Sequence, residues 1–153
     1  MPIDIRTLRS GDENILARVA PDVFDHAVDE QATKALLADP RHHLAVAIES
    51  GIVVGFASAV HYLHPDKPVP ELWVNEVGVA STHRGRGVGK ALLRSLFDVA
   101  RELGCSEAWV LTERTNDAAM HLYASVGGTE PAGHQVMFMF HFDAHCSGGR
   151  QAE

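Results

Sequence analysis

The run Val77-Gly78-Val79-Ala80-Ser81-Thr82-His83-Arg84-Gly85-Arg86-Gly87-Val88-Gly89-Lys90 narrows the folds open to this chain more than any other stretch. It passes from a β-branched strand pattern, through a glycine-rich turn, into an amphipathic helix predicted over Gly87 to Leu103 and closed by Gly104. Glycines let the backbone take positive φ and approach a ligand closely. The first helical turn offers unpaired N–H groups and the positive end of the helix dipole. Together they make an anion site suited to a pyrophosphate. A dinucleotide-binding fingerprint is disfavoured, because no βαβ start precedes the run and no acid stands at the expected ribose position. A nucleotide-triphosphate loop is disfavoured as well, since Gly-Lys-Ser/Thr does not end it. The bland alternative is a turn that merely packs a helix on a strand.

The pattern elsewhere is that of one α/β domain. Ile3 to Arg6 alternates as a short strand; Ile15, Leu16 and Val19 share a helical side; and Pro21 suits the first turn of a further helix. Val23, Phe24, Ala27 and Val28 form an apolar stripe that Ala32, Ala35, Leu36 and Leu37 continue until Pro40. Leu44 to Ile48 and Ile52 to Tyr62 read as strands joined at Glu49-Ser50-Gly51, and the three prolines between His64 and Pro70 mark a loop. Strands over Leu72 to Val79 and Glu107 to Thr112, a helix over Asp117 to Val126, and a last strand over Gln135 to Phe142 complete the order.

With 153 residues, 46% of them hydrophobic and 22% charged, the chain can bury one sizeable core. Its apolar runs are strand-sized, so no membrane span is expected, and no secretory signal is visible at Met1-Pro2-Ile3-Asp4. Two cysteines without metal spacing suit a reduced cytoplasmic setting. The net charge of −7 disfavours a nucleic-acid partner. Its distribution says more. Before residue 41 eight acids face four bases, whereas from Ala80 to Arg101 five bases (Arg84, Arg86, Lys90, Arg94, Arg101) face Asp98 alone. One segment suits a cation and the other an anion, although most single charges serve only as a solvated surface. The paired histidines lack cysteines or an H-E-x-x-H arrangement, so no metal is expected.

Arg84-x-x-Gly87-x-Gly89, on a strand-loop-helix, resembles the coenzyme A pyrophosphate motif of the GNAT N-acetyltransferases. Asn116-Asp117-x-Ala119-x-x-Leu122-Tyr123-x-x-x-Gly127 is similar to that family's second motif, and the two occur in the family's order. Within the family the chain looks most like the small aminoglycoside 3-N-acetyltransferases. That likeness rests on Val23-Phe24-Asp25, Asn75-Glu76-Val77-Gly78-Val79 and Met139-Phe140-His141-Phe142-Asp143. One departure is Gly128, where an apolar residue is usual. The resemblance implies a single GNAT-like α/β (α+β) domain over residues 1–145; residues 146–153, at the chain's end, are expected to be a disordered tail. Its mixed, mostly antiparallel sheet would be flanked by helices, and a splayed strand pair would hold acetyl-CoA. Val77, Val79, Arg84, Gly85, Arg86, Gly87, Val88, Gly89, Lys90 and Asn116 would hold the cofactor.

Acetyl transfer from a thioester to an amine needs a base for the incoming ammonium, a donor for the oxyanion and a proton for the leaving thiolate. General acid–base help is worth ~10²–10⁴-fold, and an oxyanion donor ~3 kcal/mol. Glu76, in the strand that leads into the phosphate loop, is the candidate base; its plainer reading is an edge carboxylate facing water. Asn75 is a candidate for positioning the amine, although strict alternation turns it to the other sheet face unless a bulge intervenes. Tyr123 is the candidate acid: a phenol with an unperturbed pKa near ~10 can donate to a thiolate of similar basicity, and the resemblance implies a thiolate-facing tyrosine at this place on the helix after Asn116. Its plainer reading is a packing tyrosine. Asn116 reads both as a helix N-cap and as a pantetheine contact. The oxyanion donor is expected to be a backbone N–H near Val77 or Gly78. Asp29, Glu30 and Asp143 are the further acids that could bind a polycation. Val136 to Phe140 reads as a core and interface strand, compatible with a homodimer. The acid-rich segment suits a compact polycation, and the resemblance implies an aminoglycoside acceptor, acetylated at its 3-amine and so inactivated as an antibiotic. A polyamine, another small amine or a protein N-terminus would use the same chemistry, and a non-catalytic acetyl-CoA-binding module is the reading of another class.

Overall fold

The computed structural model describes residues 2–143. Five strands form one sheet in the order β1-β2-β3-β4-β5: β1 Asp4–Thr7, β2 His42–Glu49, β3 Ile52–Tyr62, β4 Glu71–Val79 and β5 Ala108–Val110. The first four are antiparallel neighbours, and β5 pairs with β4 in parallel. The helices are α1 Glu30–Ala38, α2 Val88–Glu102 and α3 Asp117–Ser125. The β2–β3 hairpin turns on Ser50 and Gly51, both with positive φ (52° and 74°), which matches the right-handed twist of the strands that flank it.

Both faces of the sheet are covered. On one, α2 buries Val88, Leu92, Leu93, Leu96 and Ala100 against Ala45, Ala57, Ala59, Leu72 and Val74. These positions recur at helical spacing on α2 and alternate on the strands, as a helix-on-sheet layer requires. On the other face, Leu44, Val46, Val53 and Phe56 pack with Leu8, Leu16 and Val23. At one end, the Glu71 carboxylate accepts hydrogen bonds from Lys67 Nζ (2.6 Å) and Tyr62 OH (2.9 Å) and pairs with His64 Nε2 (3.0 Å), which fastens the proline-rich loop to β4.

Two expectations are corrected. Residues 21–28 are not helical: Asp22 takes a left-handed φ of 59°, and the helix begins only after Asp29, whose side chain accepts from the Ala32 N–H at 2.7 Å. The segment is held instead by distant partners: Phe24 stacks on Phe56 with ring centroids 4.0 Å apart, and the Ser81 N–H donates to both Asp22 carboxylate oxygens (3.2 and 3.3 Å). Nor do residues 135–142 form a strand. Their apolar side chains are exposed, Phe138 at 80% and Phe142 at 89%, and β5, three residues long, offers little ladder to extend. The expected disordered tail, residues 146–153, lies outside the described residues.

Candidate active site

Strand β4 keeps β3 along its whole length but loses its other partner, β5, in mid-course, and the cleft opens there. Its parallel pairing with β5 ends at Val74 opposite Val110. On its other side the register with β3 steps from Ala59–Val74 to Ser58–Glu76, so Asn75 is the extra residue of a β-bulge. Alternation forward from the buried Val74 would otherwise aim Glu76 into the α2 core. With the bulge, Asn75 and Glu76 are both exposed and both line a cleft of about 980 Å³. Leu111 and Thr112, just beyond β5, line it across the gap.

One wall of the cleft is the glycine-rich loop between β4 and α2. Val77, Val79, Arg84, Gly85, Gly87, Val88, Gly89 and Lys90 all line it. Gly85 and Gly87 carry positive φ (72° and 79°), and a Cβ on either would meet no neighbour, so backbone shape alone calls for glycine there. Gly87 caps α2 without a side chain, and its carbonyl accepts the first helical bond from Ala91. The N–H groups of Val88, Gly89 and Lys90 are therefore the unpaired donors of a helix start. Arg84 Nε donates to the Val79 carbonyl at 3.2 Å, which folds the side chain back over the strand. Arg86 does not line the cleft; its guanidinium reaches Glu49 on β2 at 3.1 Å.

Helix α3 supplies the facing wall. Asn116 caps it by accepting from the Ala119 N–H at 3.1 Å, and Asn116, Leu122 and Tyr123 all line the cleft. Tyr123 is half-buried, and burial pushes its hydroxyl pKa above the usual value, which keeps the phenol protonated and able to donate. Gly89 sets how near α3 can come: a Cβ there would stand 3.0 Å from the Leu122 side chain.

Glu76 and Tyr123, proposed from sequence as base and acid, thus share one cleft with Asn75, the loop and Asn116. Asp29, Glu30 and Asp143 do not line it, and the Asp29 carboxylate is engaged in capping α1. Two other acids do line it, Asp22 and Asp25, together with Phe24 and Phe56. Sequence reasoning counted both in the acid-rich N-terminal segment and quoted Asp25 in Val23-Phe24-Asp25, but it did not place them at the site because it read residues 21–28 as helix. Among the described residues no three His, Cys, Asp or Glu side chains gather as around a metal, and no helix is long and apolar enough to cross a membrane.

The Acetyltransferase (GNAT) family matches residues 13–127, a span that includes the loop, both strands of the gap and α3. This chain belongs to that family. It is an N-acetyltransferase, and GNAT enzymes use acetyl-CoA. The chain is 34% identical over 128 residues to the N-alpha-acetyltransferase RimI of Mycobacterium tuberculosis, covering 82% of this chain and 78% of that one. It is 35% identical over 113 residues to a streptothricin acetyltransferase of Streptomyces lavendulae, covering 73% of this chain and 56% of the relative. Among solved structures, an aminoglycoside acetyltransferase from an uncultured soil metagenomic sample superposes with a TM-score of 0.74 at 19% identity, covering 93% of this chain and 96% of that one. Aminoglycoside N-acetyltransferase AAC(6')-Iy, in complex with a CoA-linked bisubstrate analogue, gives 0.75 at 20% identity, covering 92% and 99%. These structural likenesses bear on the fold: a single domain with a five-stranded mixed sheet flanked by helices.

Proposed function

We propose that the enzyme acetylates an amine of a polycationic aminoglycoside, at the 3-position, with acetyl-CoA as donor, and so confers resistance. The observation that carries this reading is the convergence of three carboxylates, Asp22, Asp25 and Glu76, on the cleft that the phosphate loop also lines. Several ammonium groups call for several carboxylates, while the helix start and Lys90 suit the pyrophosphate of the donor. Beyond Val74 the edge of β4 that faces β5 has no strand partner among the described residues, although residues 76–79 stay paired with β3 on their other side, and this edge is where the pantetheine arm would bond, with Asn116 opposite.

Glu76 accepts one proton from the substrate ammonium, directly or through a water. The freed nitrogen forms a bond to the thioester carbonyl carbon, and a backbone N–H of Val77 or Gly78 donates to the oxyanion. As the carbon–sulfur bond breaks, Tyr123 protonates the thiolate, and the second proton shed by the nitrogen restores the phenol. One proton remains on Glu76 and passes to solvent, which balances the overall reaction. The same reading includes a cytoplasmic setting, a homodimer as the assembly, and neither nucleic acid nor membrane as a partner.

A second reading has its own support. The relative RimI is named for N-alpha-acetylation and aligns over most of this chain at 34% identity, which favours the α-amine of a protein as acceptor. The acidic lining favours a compact polycation instead. Purified enzyme should be given acetyl-CoA with aminoglycosides, polyamines and peptides bearing free N-termini, and thiol release followed. Turnover confined to peptides would replace the first reading with the second. Aminoglycoside turnover should be accompanied by growth of a sensitive bacterium expressing the gene on those antibiotics.

A further inference from the structure

The phosphate loop is shaped from outside itself. Glu49 closes β2, next to the Ser50–Gly51 turn, and is fixed in the sheet by its pairing with Ile52. Its carboxylate divides between two loop residues far along the chain: Oε2 meets His83 Nε2 at 2.6 Å, and Oε1 accepts from Arg86 at 3.1 Å. The other imidazole nitrogen, His83 Nδ1, lies 2.7 Å from Thr82 Oγ1, so the ring is held at both edges. The His83–Glu49 pair is shielded, the two side chains being only 13% and 20% exposed, whereas the Arg86 side chain is 46% exposed. Residues 84–87 are exposed and include Gly85 and Gly87, both with positive φ, and among the described residues Arg84 bonds to the strand that precedes it.

A carboxylate beside an anion site is electrostatically adverse, because it cancels part of the positive field that Arg86 would supply. Geometry is the compensating gain. We propose that Glu49 is a positioning residue for cofactor binding: by gripping His83 and Arg86 together, it holds the loop in the shape that aims the Val88–Lys90 N–H groups at the pyrophosphate. This rests on the acetyl-CoA reading above. It requires no contact between Glu49 and the ligand.

The two effects have opposite signs, so calorimetry with coenzyme A separates them. If position dominates, Glu49→Ala weakens binding roughly tenfold or more, and the loss persists at high salt, since it comes from a misshapen loop. Glu49→Gln, which keeps an acceptor for one partner, should fall between wild type and Glu49→Ala. In an Arg86→Ala background the Glu49→Ala loss should shrink, because one of its two handles is already gone. Equal or tighter binding by Glu49→Ala, with any gain vanishing as salt rises, would overturn the proposal and leave Glu49 as a charge acting through space. Should Glu49→Ala fail to fold, Glu49→Gln decides by the same sign. Absence of coenzyme A binding by the unaltered protein would instead remove the cofactor reading itself.

Discussion

At Gly78 a methyl group would collide with the Val23 carbonyl oxygen and the Phe56 ring. Here φ is ordinary; the requirement is one of space, because the segment around Asp22 to Asp25 lies directly on β4. Gly78→Ala should therefore displace that segment, lower stability by about 1–3 kcal/mol in thermal or denaturant unfolding, and raise KM for the amine more than KM for acetyl-CoA. Equal changes in both KM values would mean that the damage spreads beyond the acceptor wall. Glu76→Gln and Tyr123→Phe should both depress turnover by at least tenfold, but for different reasons. The Gln variant should recover as pH rises and free amine becomes abundant; the Phe variant should recover with a thioester whose thiol is a better leaving group. Pre-steady-state rates across pH and across a donor series would show each rescue, and changes under threefold in both variants would dismiss the acid–base pair.

Elements differ in how plainly the chain announces them. Strands β2, β3 and β4 and helix α2 follow their apolar periods, and the Ser50-Gly51 hairpin was readable from the glycine that follows Glu49-Ser50. Residues 21–28 carry an apolar stripe that suits a helix equally well, and only contacts to Phe56, Gly78 and Ser81, distant in sequence, decide against one. Local pattern cannot weigh such contacts. The two glycines at the start of α2 also look interchangeable in sequence but are not. Gly87 answers to backbone conformation, so Gly87→Asn should retain most coenzyme A binding and Gly87→Val should not. Gly89 answers to the approach of α3, so Gly89→Ala should push Leu122 and with it Tyr123, lowering kcat while leaving coenzyme A affinity near wild type. Binding isotherms and turnover for the three variants test this separation.

For the whole molecule, acid is the revealing variable. Hydrogen bonds from Lys67, His64 and Tyr62 hold the Glu71 pKa at about 2 against an ordinary 4.5. A carboxyl depressed in the folded state stabilises fully above its unfolded pKa, and that contribution is lost as pH falls from 4.5 toward 2. Burial, then the neighbouring His61 and His42, lower the pKa of His43 to about 4 from 6.5. The unfolded chain binds the extra proton between those values, so this contribution too is lost as pH drops, in the window from 6.5 to 4. Thermal midpoints should fall in two stages on acidification. Glu71→Gln should flatten the lower stage, at a cost in stability near neutrality, and leave the upper one unchanged. A single transition insensitive to Glu71 would show that its cluster does not fasten the loop.

The extra residue at position 75 has a consequence for anyone who would transplant this chemistry. On a regular antiparallel strand a carboxylate two places after Val74 would be aimed at the aliphatic side of α2, where an ionised group without a partner is costly to bury. Point substitution in a bulge-free scaffold could copy the letters Asn-Glu and still deliver the acid to the wrong side. What has to be grafted is an insertion together with its acid, so engineering this centre is first a problem of counting residues and only then one of choosing them.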